Sequence, residues 1–135
     1  MQLSDFSAFP TLSLVLYYNR AINEKHWLEA IVLAHMYIET QLRTVLGKEI
    51  RKAKRTKNDE NVIGLVEKAN EKKKIDDDLA KRLTEFNNSR NNAVHHLSIG
   101  IITYDELEPT ARQAGSLIHE LQALHAYKAF ESEEK

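Results

Sequence analysis

WLEAIVLAHMYIETQLRTVLGKEI, residues 27–50, decides the fold class. Trp27, Ile31, Ala34, Ile38, Leu42, Val45 and Leu46 recur at the i, i+3/i+4 spacing and draw one apolar face. The pattern predicts an amphipathic helix, frayed at its end by Gly47. Upstream, residues 12–25 (LSLVLYYNRAINEK) predict another helix, although LSLVLYY alternates enough to pass for a strand. Downstream, residues 62–70 (VIGLVEKAN) suggest a short helix with a glycine inside it. Asp76, Asp77 and Asp78 suit the N-terminus of a further helix over about 76–96, where acids complement the dipole. Its stripe runs Leu79, Leu83, Phe86, then Arg90, then Ala93/Val94 and Leu97. After a short connector, SIGII at 98–102, Thr103 to Glu106 spell a capping box. Pro109 follows a turn later and either kinks the last helix or shifts its start. The stripe Ala114, Leu117, Ile118, Leu121 and Leu124 carries that helix to about Phe130.

The expected fold is therefore all-α, an antiparallel bundle of four to five helices. The chain of 135 residues implies one domain, with residues 1–8 and 131–135 as frayed tails. A chain of this length buries roughly two-thirds of its unfolded surface, enough for a single core. Gly and Pro are scarce, four and two, which suits helices and few tight turns. Net charge is −1, so nucleic-acid binding needs a local patch rather than an overall excess of cations. The absence of cysteine excludes a disulfide scaffold, a Cys-based zinc site and a thiol nucleophile. MQLSDFSAFP has no basic start and no long apolar stretch, and no run is long enough to span a bilayer. A cytoplasmic protein without a membrane partner is the expectation.

The residues with chemical content cluster in SRNNAVHH, 89–96. Arg90 falls where the stripe calls for an apolar side chain, and a buried charge must be paired or face a wet interface. Arg90 and His95 are five apart, about 140° round a helix. Asn91 and His95 are i and i+4 and share a face. Arg supplies a planar fork for phosphate oxygens, His moves a proton near neutrality, and Asn orients either. Together they are the parts needed to drive a ribose 2′-OH onto its own 3′ phosphodiester without a metal. Spacing alone carries little weight, because Arg20–His26 and Arg112–His119 share it. Arg90 differs in its context: a polar residue follows it, and it interrupts an apolar stripe late in a long helix. The bland reading is a polar helix end with a capping histidine. His96, a further 100° round the helix, competes with His95.

A second candidate is KEIRKAKRTK, 48–57, in which Lys48, Arg51, Lys52, Lys54, Arg55 and Lys57 are basic. It is suited to holding an RNA backbone with salt-dependent affinity, or it is a solvated loop. Few aromatics interleave, so no base-stacking platform is indicated. His35 and Glu39, i and i+4, have the spacing of a metal pair but no evident third ligand. His119 and His125 fit surface or core-edge positions. No phosphate-cradling glycine loop and no nucleophile elbow is present.

With these residues in place, the chain resembles the HEPN family, the higher-eukaryote and prokaryote nucleotide-binding helical domains. That family carries R-x4–6-H near the end of its penultimate long helix, with a polar residue after the arginine, and RNNAVH at 90–95 is similar to it. WLEAIVLAHMYIETQLRTVL, 27–46, resembles the family's second helix, with Glu39 at the position of its central acid. The helical layout matches over roughly 12–130. The resemblance implies an all-helical homodimer whose two motifs meet in one cleft. It implies a metal-independent endoribonuclease, needing no cofactor, of the kind found in toxin–antitoxin, phage-defence and RNA-processing systems. An antitoxin or a defence-complex protein is then a partner. Arg90 would bind the scissile phosphate, His95 would be the acid/base, Asn91 would support it and Glu39 would orient Arg90. Two histidines, one from each protomer, would serve as base and acid. A subgroup paired with nucleotidyltransferase antitoxins has Tyr two residues after the His; Leu97 stands there, which argues against that partner. Some members only bind nucleotides or proteins, which is the alternative expectation. A third is a plain helical interaction domain in which Arg90 pairs with Glu39.

Overall fold

A computed structural model describes residues 9–47 and 61–134. The architecture is all-helical: α1 (Phe9–Asn23), α2 (Trp27–Leu46), α3 (Val62–Glu71), α4 (Asp77–Ser98), a 3-10 turn (Tyr104–Leu107) and α5 (Glu108–Glu134), with no strand among the described residues. The strand-like alternation of LSLVLYY is overridden, and α1 begins three residues earlier than the pattern suggests, with Pro10 in its first turn. A proline costs little there, because the first helical N–H groups have no intrahelical partner.

α2 is the centre of the molecule and touches every other helix and the 3-10 turn. Trp27, Ala30, Ile31, Ala34, Tyr37, Ile38, Leu42 and Leu46 on it are buried, whereas Val45 of the expected stripe is half-buried. Burying one such large side chain contributes about 2 kcal/mol. α2 stops at Leu46, and the Gly47 amide closes the last turn onto the Arg43 carbonyl at 2.9 Å with φ +47. Tyr18 of α1 donates its hydroxyl to the Ala111 carbonyl of α5 at 2.7 Å. The Arg112 guanidinium lies 5.1 Å from the Trp27 ring centre, a cation–π contact between α5 and α2.

Side-chain caps fix the later starts. Asn61 Oδ1 accepts from the Gly64 amide at 2.8 Å and Asp76 Oδ1 from the Leu79 amide at 2.7 Å. The Thr103–Glu106 capping box forms, but it opens the 3-10 turn, and α5 starts at Glu108 with Pro109 in its first turn. Pro109 therefore shifts the helix start. α5 runs past Phe130 to Glu134. Its stripe is buried as spaced: Ala114, Leu117, Ile118 and Leu121, with Leu124 partly buried against the core. Arg82 of α4 bridges to α5 through both oxygens of Glu120, with Nη2 to Oε1 at 2.6 Å, and also holds Asp78 at 2.8 Å. Among the described residues no helix is long and apolar enough to cross a membrane.

Candidate functional site

On α4 the buried run Leu79, Leu83 and Phe86 gives way to Asn87 and then Arg90. There the core opens into a cavity of about 590 Å³. α2 supplies His35 and Glu39 as one wall. The first turn of α3 supplies a second, with Asn61, Val62, Ile63, Gly64 and Glu67. Asn87, Arg90 and Asn91 of α4 close the third. The arginine in the apolar stripe thus has a physical reason: it is half-buried, and it faces this cavity.

Arg90 Nη1 donates to Asn91 Oδ1 at 2.6 Å, and no carboxylate forms an ion pair with Arg90 among the described residues. Glu39 lines the same cavity, but its Oε1 accepts from Arg43 Nη2 at 3.1 Å, one turn along α2. The expected Arg90–Glu39 pair is therefore not formed, because the i+4 arginine lies on the acid's own helix. His35 is half-buried in the cavity wall. Burial holds its pKa below the ordinary imidazole value, the Arg90 guanidinium pushes it the same way, and Glu39 opposes both.

Asn87 is 7% exposed, and its side-chain amide has no hydrogen-bond partner among the described residues. Sequence reading passed over Asn87 and Asn61, and weighed His35 only as a metal ligand. One signal for Asn87 was present: 83, 87 and 90 are themselves stripe-spaced, so two successive core positions on α4 are polar.

His95 and His96 do not line the cavity. His95 is exposed and His96 half-buried in the last turn of α4, with ring centres 6.0 Å apart. The structure brings Arg90, Asn91 and Glu39 together within one chain and leaves both histidines of the motif outside that group. Lys48, Arg51, Lys52, Lys54, Arg55 and Lys57 lie outside the described residues. Among the described residues, no group of three or more His, Cys, Asp or Glu is placed to hold a metal ion. No family model, no curated protein and no solved structure matches this chain.

Proposed function

We propose that the protein is a HEPN-type endoribonuclease that cleaves single-stranded RNA by internal transesterification, without a metal, in the cytoplasm and in a toxin–antitoxin or phage-defence setting. The observation that carries this reading is Arg90, a half-buried guanidinium with no acidic partner among the described residues, held by Asn91 at 2.6 Å and facing a cavity. An unneutralised arginine in such a place is suited to a phosphate oxygen pair. On this reading a base takes the 2′-OH proton, O2′ bonds to phosphorus, the P–O5′ bond breaks and an acid protonates the leaving oxygen. The products are a 2′,3′-cyclic phosphate and a 5′-hydroxyl. His95, with His96 as its competitor, serves one of the two proton transfers.

A homodimer would supply further imidazoles. The exposed apolar side chains near His95 and His96 in sequence, Val94, Ile99 and Ile101, at 37%, 55% and 64%, favour a covering surface there. The basic residues from Lys48 to Lys57 would add backbone affinity. An antitoxin or a defence-complex protein would control the activity.

The test is an incubation of the wild type, Arg90→Ala and His95→Ala with labelled RNA in EDTA, followed by analysis of the ends. Cyclic phosphate ends from the wild type alone, with each variant slowed roughly a hundredfold or more, are the expected result. A 2′-deoxy substitution at the cut site abolishes cleavage. Undiminished cleavage by both variants overturns the reading. One observation favours a second reading, a non-catalytic module that binds a nucleotide or a protein: His95 stands outside the cavity that holds Arg90. A silent wild type that still binds a nucleotide selects it.

A further inference from the structure

The cavity holds a polar group with no protein partner. Asn87 is more than nine-tenths buried, lines the space and has no hydrogen-bond partner among the described residues. What remains accessible of this residue opens onto the cavity, so its amide is available to whatever occupies that space, and the groups around it indicate what that is. Arg90 adds a positive fork from the same face of α4, one helical turn on. His35 comes from α2 opposite. The start of α3 adds the positive end of a ten-residue helix, with the Gly64 amide already taken by Asn61. Polar groups from α2 and α4 and the start of α3 thus line one space, though the elements are distant in sequence. A space of about 590 Å³ falls within the range of small-ligand sites.

The acids set the charge that the site accepts. Glu39 is paired with Arg43 at 3.1 Å, which weakens its field in the cavity without removing it. Glu67 is exposed at the rim. With Arg90 as the free cation among the described lining residues and Glu67 opposing it, a monoanion suits the cavity better than a dianion. We propose that Arg90, Asn87 and His35 form a phosphodiester site complete within one chain, in which Arg90 and Asn87 take the phosphate oxygens and His35 is the imidazole that faces them. The site deepens the nuclease reading and rests on it only in treating the bound diester as scissile. There the neutral imidazole of His35 is the group that faces the 2′-OH proton, and the protonation of the leaving oxygen falls to an acid outside this cavity.

The groups facing His35 fix the sign of its response. Arg90 on α4 and burial hold the imidazole neutral, Glu39 on its own helix favours the cation, and Glu67 on α3 lines the same cavity. A bound anion favours the imidazolium, so occupancy raises the His35 titration midpoint.

The experiment is a pH titration of the imidazole signals by NMR, with the full chain in a phosphate-free buffer. Two probes are compared, inorganic phosphate and a 2′-deoxy dinucleoside monophosphate, which cannot be cleaved. The expected result is an upward shift of the His35 midpoint with the dinucleotide, smaller or absent with free phosphate. In Arg90→Ala the dinucleotide binds roughly tenfold or more weakly and the shift disappears. Asn87→Asp, which keeps the side-chain volume but adds a negative charge, also loses binding, and circular dichroism confirms that both variants fold. A dinucleotide that moves only His95 and His96, or a His35 shift that survives Arg90→Ala, overturns the proposal. Tighter binding of free phosphate than of the diester overturns it as well. The nuclease reading fails separately. A wild type that does not cut but shows the His35 shift keeps this site and drops the activity. A wild type that cuts with His35 unmoved by the dinucleotide does the reverse.

Discussion

Gln41 sits on the core face of α2 with 4% of its surface exposed, and its Oε1 has no hydrogen-bond partner among the described residues. A buried carbonyl without a donor costs about 1–3 kcal/mol. Gln41→Met keeps the length and removes the orphan, so the variant is expected to gain about 1 kcal/mol, a rise of about 3 °C in Tm by calorimetry. An unchanged or lower Tm would show that the amide is satisfied in solution. Single residues were unevenly legible in the sequence. Arg90 announced itself, because a charge in an apolar stripe is visible from its own helix. Gln41, Asn87 and His35 did not, because their significance depends on what other helices place beside them. The role expected of Glu39 also failed to form as a contact, since Arg43 on its own helix occupies it.

Helix starts were easier to foresee than helix ends. Asn61 and Asp76 carry side chains that accept from backbone amides, and the Glu106 carboxylate accepts from the Thr103 amide, chemistry written at one or two positions. Three ends follow another rule. α1, α3 and α4 each close with a six-to-one hydrogen bond, His26 amide to Ala21 carbonyl at 2.8 Å, Lys74 to Ala69 at 2.8 Å and Ile101 to His96 at 2.9 Å. The residue before each of those donors is left-handed: Lys25 with φ 61, Lys73 with φ 60 and Gly100 with φ 76. Glycine at such a place is a recognisable stop, whereas lysine is not, which is why α1 was expected to reach residue 25. The strain is testable at Lys73. Replacing it with glycine relieves about 1 kcal/mol of left-handed strain, partly offset by the added freedom of the unfolded chain. Lys73→Gly is expected to raise the urea midpoint by a small amount corresponding to about 0.5 kcal/mol. A lower midpoint would mean that the lysine stem contributes more than its backbone costs.

For the whole molecule, composition and period were enough for an all-helical chain with its main core helix in the right place. They did not say which helix would be the hub, because amphipathic faces record burial and not the identity of the neighbour. Nor did they show that a cavity would open where α2, α3 and α4 meet, since that depends on the angle at which three separately legible helices cross. The central place of α2 has a consequence in time. A helix that leans on every other element has no private way of opening. The amides of Ile38 and Leu42 are expected to exchange with deuterium only when the entire chain lets go, at a rate set by global unfolding. Those of α3, a ten-residue helix at the cavity wall, are expected to exchange by smaller and more frequent excursions. Exchange in α2 thus measures the lifetime of the fold, and exchange in α3 measures how often the cavity wall loosens.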